Sequence, residues 1–301
     1  HVQPFVLPRP RMHYGMYYRP YQTPPTFRGL AFQRLYLADM ADHGMNFMEM
    51  DLQTSLLSQD GYDFDNSTPL MPPEANAYGS TRTRSYLDNY FSSEDYQPDG
   101  GFNALKLFDR QFVLGLKAGL IQRDHPIVIT QGDWTLDPPA KASVLATIEN
   151  HRCARNWPYY WMYMRDEPGP AVFAKVIKHV GQWQTLGVPG IAAMNGPAAL
   201  VVGHVHRVWT VLAGQISTAL LREADRIGAQ VWTYDYNLRT TNVEAHRFFA
   251  GLYTWSLGLK GNMPYAYMGE VNHQPYFDTD WHLSGPSILG LVVPSPAGPV
   301  P

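Results

Sequence analysis

Short apolar runs alternate along the chain with longer stretches in which apolar residues recur at helical spacing. The first run is RMHYGMYY at 11–18. A stretch over 27–43 follows, with Leu30, Leu35, Tyr36 and Met40 near helical spacing and Gly44 as its stop. A strand and then a helix are predicted there. MNFMEMD (45–51) reads as a second strand, and 102–118, with Leu105, Phe108, Phe112 and Leu116 ahead of Gly119, as a second helix. PIVITQGDW (126–134) is a β-branched strand running into polar residues. Pro138 and Pro139 open a helix over 140–154, with Val144, Leu145 and Ile148 facing inward and Cys153 expected to be buried. YWMYM (160–164) is the fourth strand, and the helix over 171–186 carries Phe173, Val176, Ile177, Val180 and Trp183. GIAAMNG (190–196) is the fifth strand, followed by a short connection without a clear pattern. RVWTVLAGQ (207–215) is the sixth, and Ser217 caps a helix that ends at Gly228. AQVWTYDYN (229–237) is the seventh, Asn242 caps a helix over 243–257, and GNMPYAYM (261–268) is the eighth.

Eight strands mostly separated by helices predict a parallel α/β sheet with short crossovers. Eight in about 270 residues favours a closed (β/α)8 TIM barrel over an open doubly wound sheet. No glycine-rich G-x-G-x-x-G turn follows the first strand, which argues against dinucleotide binding. With no repeat and no linker to split it, residues 1–301 are expected to form one catalytic-type domain. Two irregularities stand out. Residues 52–101 form a long polar β2–α2 loop, expected to sit over the barrel mouth as a lid or subsite wall. After the eighth strand comes a loop and then ILGLVVPSPAGPVP (288–301), so the barrel is expected to lack its last outer helix.

Composition narrows the partners. Of 301 residues, 45% are hydrophobic and 16% charged, which supports a full core. The formal net charge is −3 with no basic block, so nucleic acid is a poor candidate. No apolar stretch approaches the roughly 20 residues of a membrane span. The single cysteine rules out an internal disulfide. The chain begins at His1, which reads as a processed secreted or periplasmic protein or as a fragment, and Asn66-Ser67-Thr68 is a glycosylation sequon. The oligomeric state is left open. The 19 Tyr and 8 Trp suit carbohydrate, whose C–H faces stack on flat rings with a polar edge.

In an α/β barrel the carboxy-terminal strand ends form the active-site edge. Collected there are Tyr18 from the first strand, Glu49 and Asp51 from the second, Trp134 from the third, and Asp166 and Glu167 from the fourth. The later strands add Asn195, then Trp232, Tyr234 and Asn237, then Tyr265 and Tyr267. These are the acids, amides and rings of a sugar pocket. Adjacent carboxylates point to opposite faces of a regular strand, so Asp166 and Glu167 share a site only if the chain breaks at the strand tip. Pro168 is expected to bias Glu167 toward an extended conformation. One carboxyl of such a pair can hold a proton while its neighbour stabilises positive charge. The competing reading is that Asp166 caps the following helix. His204-x-His206 has ligand-like spacing but no third partner in the sequence, so neither a metal nor a cofactor is expected.

Several segments, in order, resemble the catalytic barrel of glycoside hydrolase family 123 and related glycosidase-like barrels. They are GMYY (15–18), LADMADHGMN (37–46), MYMRDEPG (162–169), VWTYDYN (231–237), GLYTWSLGLKGNMPYAY (251–267) and VVPSPAGPVP (292–301). The resemblance implies substrate-assisted, retaining hydrolysis of a β-linked 2-acetamido sugar such as an N-acetylgalactosaminide. Carried over, Glu167 is the acid/base, Asp166 holds the acetamido group, and Tyr234 and Tyr267 wall the pocket. Trp255, on a helix, is read as core packing. Two alternatives stay open: a glycosidase with a protein nucleophile (Glu49, Asp51, Asp235 or Glu270), and a non-catalytic carbohydrate-binding or structural barrel.

Overall fold

The computed structural model describes residues 12–17, 30–51, 104–130, 135–234 and 248–264. Eight strands close into a barrel in chain order. They are β1 (His13–Tyr17), β2 (Phe47–Asp51), β3 (Ile127–Thr130), β4 (Tyr160–Tyr163), β5 (Gly190–Met194), β6 (Val208–Val211), β7 (Gln230–Thr233) and β8 (Gly261–Asn262). Every pairing is parallel, and β8 closes onto β1 with Gly261 opposite His13. Outside lie α1 (Leu30–Asp42), α2 (Ala104–Ala118), α3 (Pro138–Arg155), α4 (Phe173–Thr185), α5 (Gly196–Val202) and α6 (Thr218–Ile227). A π-helical turn (Phe248–Tyr253) then runs into α7 (Thr254–Ser256).

Strand alternation divides the core in two. Odd positions of β4, Trp161 and Tyr163, join Phe47, Val128, Trp232 and Tyr234 inside the barrel. Even positions, Tyr160 and Met162, pack outward against helices with Met48, Ile129, Val176 and Trp183. The lower interior is aromatic. The His13 ring lies 4.9 Å from that of Trp161 and 5.0 Å from that of Trp232. Trp232 fits because Gly261 opposite it has no side chain. A Cβ there would come within 2.3 Å of the indole. Between α3 and α4, the fully buried Lys141 donates to Gln182 Oε1 at 2.7 Å and to the Leu136 carbonyl, with its ammonium 5.8 Å from the Trp183 ring centre.

Local chemistry sets the helix ends. Asp137 caps α3 by accepting from the Ala140 N–H at 2.8 Å. Ser217 caps α6, and Gly228 ends it at φ +70°.

Several expectations are corrected. The stretch after β5 is a helix, α5, rather than an irregular connection. The sixth strand stops at Val211, and a 3-10 turn takes Ala213–Gln215. In α1 it is Leu37, not Leu35, that is buried with Tyr36 and Met40, because Leu35 falls on the solvent side of the helix. Cys153 is exposed near the end of α3. Trp255 is 78% exposed rather than core. The segment before it is a π-helical turn, Phe248–Tyr253, rather than the regular helix expected there. The 52–101 loop, the Asn242 cap and the 288–301 end lie outside the described residues. Among the described residues no helix is long and apolar enough to cross a membrane.

Candidate active site at the carboxy-terminal edge of the barrel

The ladder between β4 and β5 locates the two acids. Met162 N–H donates to the Pro189 carbonyl at 2.9 Å, and Met164 N–H to Ile191 at 3.3 Å. The two-residue step of a parallel ladder would next bring Asp166 N–H to the Ala193 carbonyl. Instead Glu167 N–H occupies it, at 2.9 Å. One extra residue has therefore entered the β4 edge, a bulge at the strand tip. This is how neighbouring carboxylates escape strand alternation. Both side chains are exposed at the rim, while Met164 and Pro168 on either side are buried.

Glu167 has φ +37°. Among the described non-glycine residues only Asn156, a left-handed helix end, shares positive φ. Pro168 was expected to keep Glu167 extended. The structure differs: at the bulge, with its N–H on the Ala193 carbonyl, Glu167 turns into the left-handed region. A glutamate held in this region is strained by about 1–3 kcal/mol, which persists only where surrounding contacts over-determine it.

Those contacts include two tyrosines. Tyr163, the last inward residue of β4, donates its hydroxyl to Asp166 Oδ1 at 2.6 Å. Tyr234, just past the end of β7, donates to Glu167 Oε1. Both rings are 5% exposed and packed in the barrel interior. Asp166 does not cap the next helix. Gly169 holds the N-cap position of the Pro170–Val172 turn, with no side-chain cap bond, because the bulge directs Asp166 to the rim.

The other candidates are dispersed. Glu49 is fully buried on β2, on the same alternation as the interior Phe47. Asp51 ends β2 opposite Thr130. Asn195 accepts from the Ala198 N–H at 2.8 Å, so its oxygen is committed to capping α5 rather than facing a ligand. Trp232 is a correction as well: it fills the lower barrel, fully buried, and does not wall the mouth. Its ring must occupy the space left by Gly261. Tyr18, Trp134, Asn237, Tyr265 and Tyr267 lie outside the described residues. Tyr163 was missed, although alternation from Trp161 marks it as the last inward side chain before the acids.

The opposite, amino-terminal end holds a cleft of about 230 Å³ lined by Gly190, His204, His206 and Arg207. His204 and His206 each use Nδ1 on a backbone carbonyl, of Val201 and Val202 respectively. Among the described residues, no three His, Cys, Asp or Glu side chains could together hold a metal ion. Burial pushes both His206 and His13 down to about 4, with neighbouring histidines adding a smaller effect.

No protein-family model matches the chain, and no curated protein matches it. Among solved structures it is similar to a GH5_18 protein of Streptomyces cattleya in complex with Manβ1-4GlcNAc. The likeness has 11% identity and a TM-score of 0.52, covering 93% of this chain and 76% of that one. A GH5_18 protein of Bifidobacterium longum subsp. longum, in complex with the same disaccharide, has 11% identity and a TM-score of 0.49, covering 93% and 73%. At such identity the first likeness is one of fold, the closed (β/α)8 barrel.

Proposed function

We propose that the chain is a glycoside hydrolase acting, with retention and substrate assistance, on β-linked 2-acetamido-2-deoxy-hexosides such as N-acetylgalactosaminides. The observation that carries this reading is the strained bulge that holds Asp166 and Glu167 side by side on the barrel rim, each carboxylate tied to a barrel tyrosine. A structural corner has no need of a left-handed glutamate, whereas an aimed pair of acids does. The likeness to the family 123 barrel supports the assignment of roles. The fold shared with a protein solved with Manβ1-4GlcNAc agrees with a carbohydrate substrate.

In this mechanism Glu167 gives its proton to the glycosidic oxygen as the bond to C1 breaks. Asp166 accepts from the acetamido N–H and turns the acetamido carbonyl oxygen onto C1, forming a cyclic oxazolinium. Glu167, now a carboxylate, takes a proton from water, whose oxygen attacks C1 and reopens the acetamide with the β configuration restored. Neighbouring-group attack of this kind is intramolecular, so orientation lowers much of its barrier.

The test is a panel of aryl β-glycosides with and without the 2-acetamido group, on wild type and Glu167→Gln. Turnover confined to acetamido substrates, inhibited by a thiazoline mimic and reduced at least about 100-fold in Glu167→Gln, supports the reading. Turnover that survives Glu167→Gln refutes it. In the second reading a protein carboxylate such as Glu49 would be the nucleophile and would need to stand about 5–5.5 Å from Glu167, and plain hexosides would then be cleaved.

A further inference from the structure

We infer that Tyr163 is a positioning residue for this reaction, aiming the Asp166 carboxylate at the substrate's acetamido group. The inference rests on the glycosidase reading above. The hydroxyl of Tyr163 donates to Asp166 Oδ1 at 2.6 Å, a length typical of an O–H···O⁻ bond to a charged acceptor. The two ends of this bond are held differently. The Tyr163 ring is packed in the barrel interior, and its backbone is paired on both sides, with Thr130 of β3 and Ile191 of β5. Asp166 is exposed on the bulge, where the regular ladder has been interrupted.

An exposed aspartate on a loop has several staggered rotamers open to it. Tied through Oδ1 to a buried ring, Asp166 keeps one, which leaves Oδ2 as the oxygen for the substrate. A carboxylate held in place before substrate arrives loses no rotamer freedom on binding, and it meets an acetamido N–H at one angle. Glu167 is held in parallel through Oε1 by Tyr234. A tyrosine on β4 and one just past β7 thus aim adjacent acids independently, so the neighbours can perform different tasks. The Tyr163 ring fills core space that phenylalanine would fill equally well, so Tyr163→Phe isolates the hydroxyl.

The experiment uses Tyr163→Phe, Asp166→Ala and the double variant of the full chain. The probes are 4-nitrophenyl 2-acetamido-2-deoxy-β-D-glucoside and -galactoside, with crystal structures of wild type and Tyr163→Phe. The expected result is a fall in kcat of about 10–100-fold in Tyr163→Phe, with little change in KM and an unchanged thermal midpoint. In the Asp166→Ala background, where no side-chain oxygen is left for the Tyr163 hydroxyl to hold, the same substitution should have no further effect. An equal loss in both backgrounds overturns the proposal, since the hydroxyl would then act elsewhere. The crystal structures give a measure independent of turnover. Asp166 should hold one rotamer in wild type and leave it in Tyr163→Phe, and an unmoved Asp166 overturns the positioning role. If wild type cleaves neither probe while Asp166 still moves, the glycosidase reading fails and the positional link stands.

Discussion

Glu167 is the residue at which backbone and chemistry pull apart. At φ +37° any side chain with a Cβ is disfavoured, and glycine is not. Glu167→Ala and Glu167→Gly both delete the carboxylate and the Tyr234 bond, so the difference between them reports the backbone alone. Glycine should be the more stable by about 1 kcal/mol in urea unfolding, the reverse of the usual order. Equal stability, or alanine ahead, would show that the corner is not left-handed. The pair also separates two origins for the corner, since a purely structural turn would have done better with glycine from the outset. What the residue types foretold here was the presence of two acids at a strand tip. Their arrangement followed from one hydrogen bond, Glu167 N–H to the Ala193 carbonyl, between residues far apart in sequence.

At the scale of elements, barrel closure depends on a fit between β7, β8 and β1. Gly261 is placed against the indole of Trp232 and opposite His13, and a Cβ would collide with the ring at 2.3 Å. The contact is with a rigid aromatic rather than the end of a flexible chain. Gly261→Ala should therefore destabilise the fold by about 1–3 kcal/mol or more, read as a lowered urea midpoint. A neutral Gly261→Ala would mean that Trp232 can move aside. On the outer layer, Lys141 joins α3 to α4 with a fully buried stem and an ammonium bonded to Gln182 and Leu136. Lys141→Ala should cost about 2–5 kcal/mol, a loss on the scale of emptying a core position. An exposed lysine would cost almost nothing, so the same denaturation measurement decides between the two.

For the molecule as a whole, two histidines, the buried His206 and the partly buried His13, set a response to acid. His13 sits among the aromatic rings of the lower barrel and His206 beside the amino-terminal cleft, each lowered from 6.5 to about 4 by burial. The unfolded chain binds these protons first as pH falls. The stability held by the neutral imidazoles is therefore complete above about pH 6.5. It drains away between there and pH 4, and below that both states are protonated and the loss levels off at about 3 kcal/mol per histidine. Urea unfolding at pH 7 and pH 4.5 should show the fall. It should be smaller in His206→Asn, whose amide can take over the bond from Nδ1 to the Val202 carbonyl. An equal fall in both proteins would assign the acid response to other groups.

The order of the strands and of the helices other than α5, and the barrel they form, were legible from local pattern. Alternation, caps such as Ser217 and stops such as Gly228 act within a few residues, so the chain determines them by itself. The placing of Asp166 and Glu167 at the end of the fourth strand was legible for the same reason. The exposure of Trp255 and Cys153, the burial of Trp232 under Gly261 and the commitment of Asn195 to a helix cap were not. Each depends on which neighbour arrives from elsewhere in the fold. The bulge that turns both acids to the rim, and the tyrosines on β4 and just past β7 that hold them, likewise belong to the tertiary structure. Register between strands is set by the closure of the whole sheet, and no window of sequence contains it.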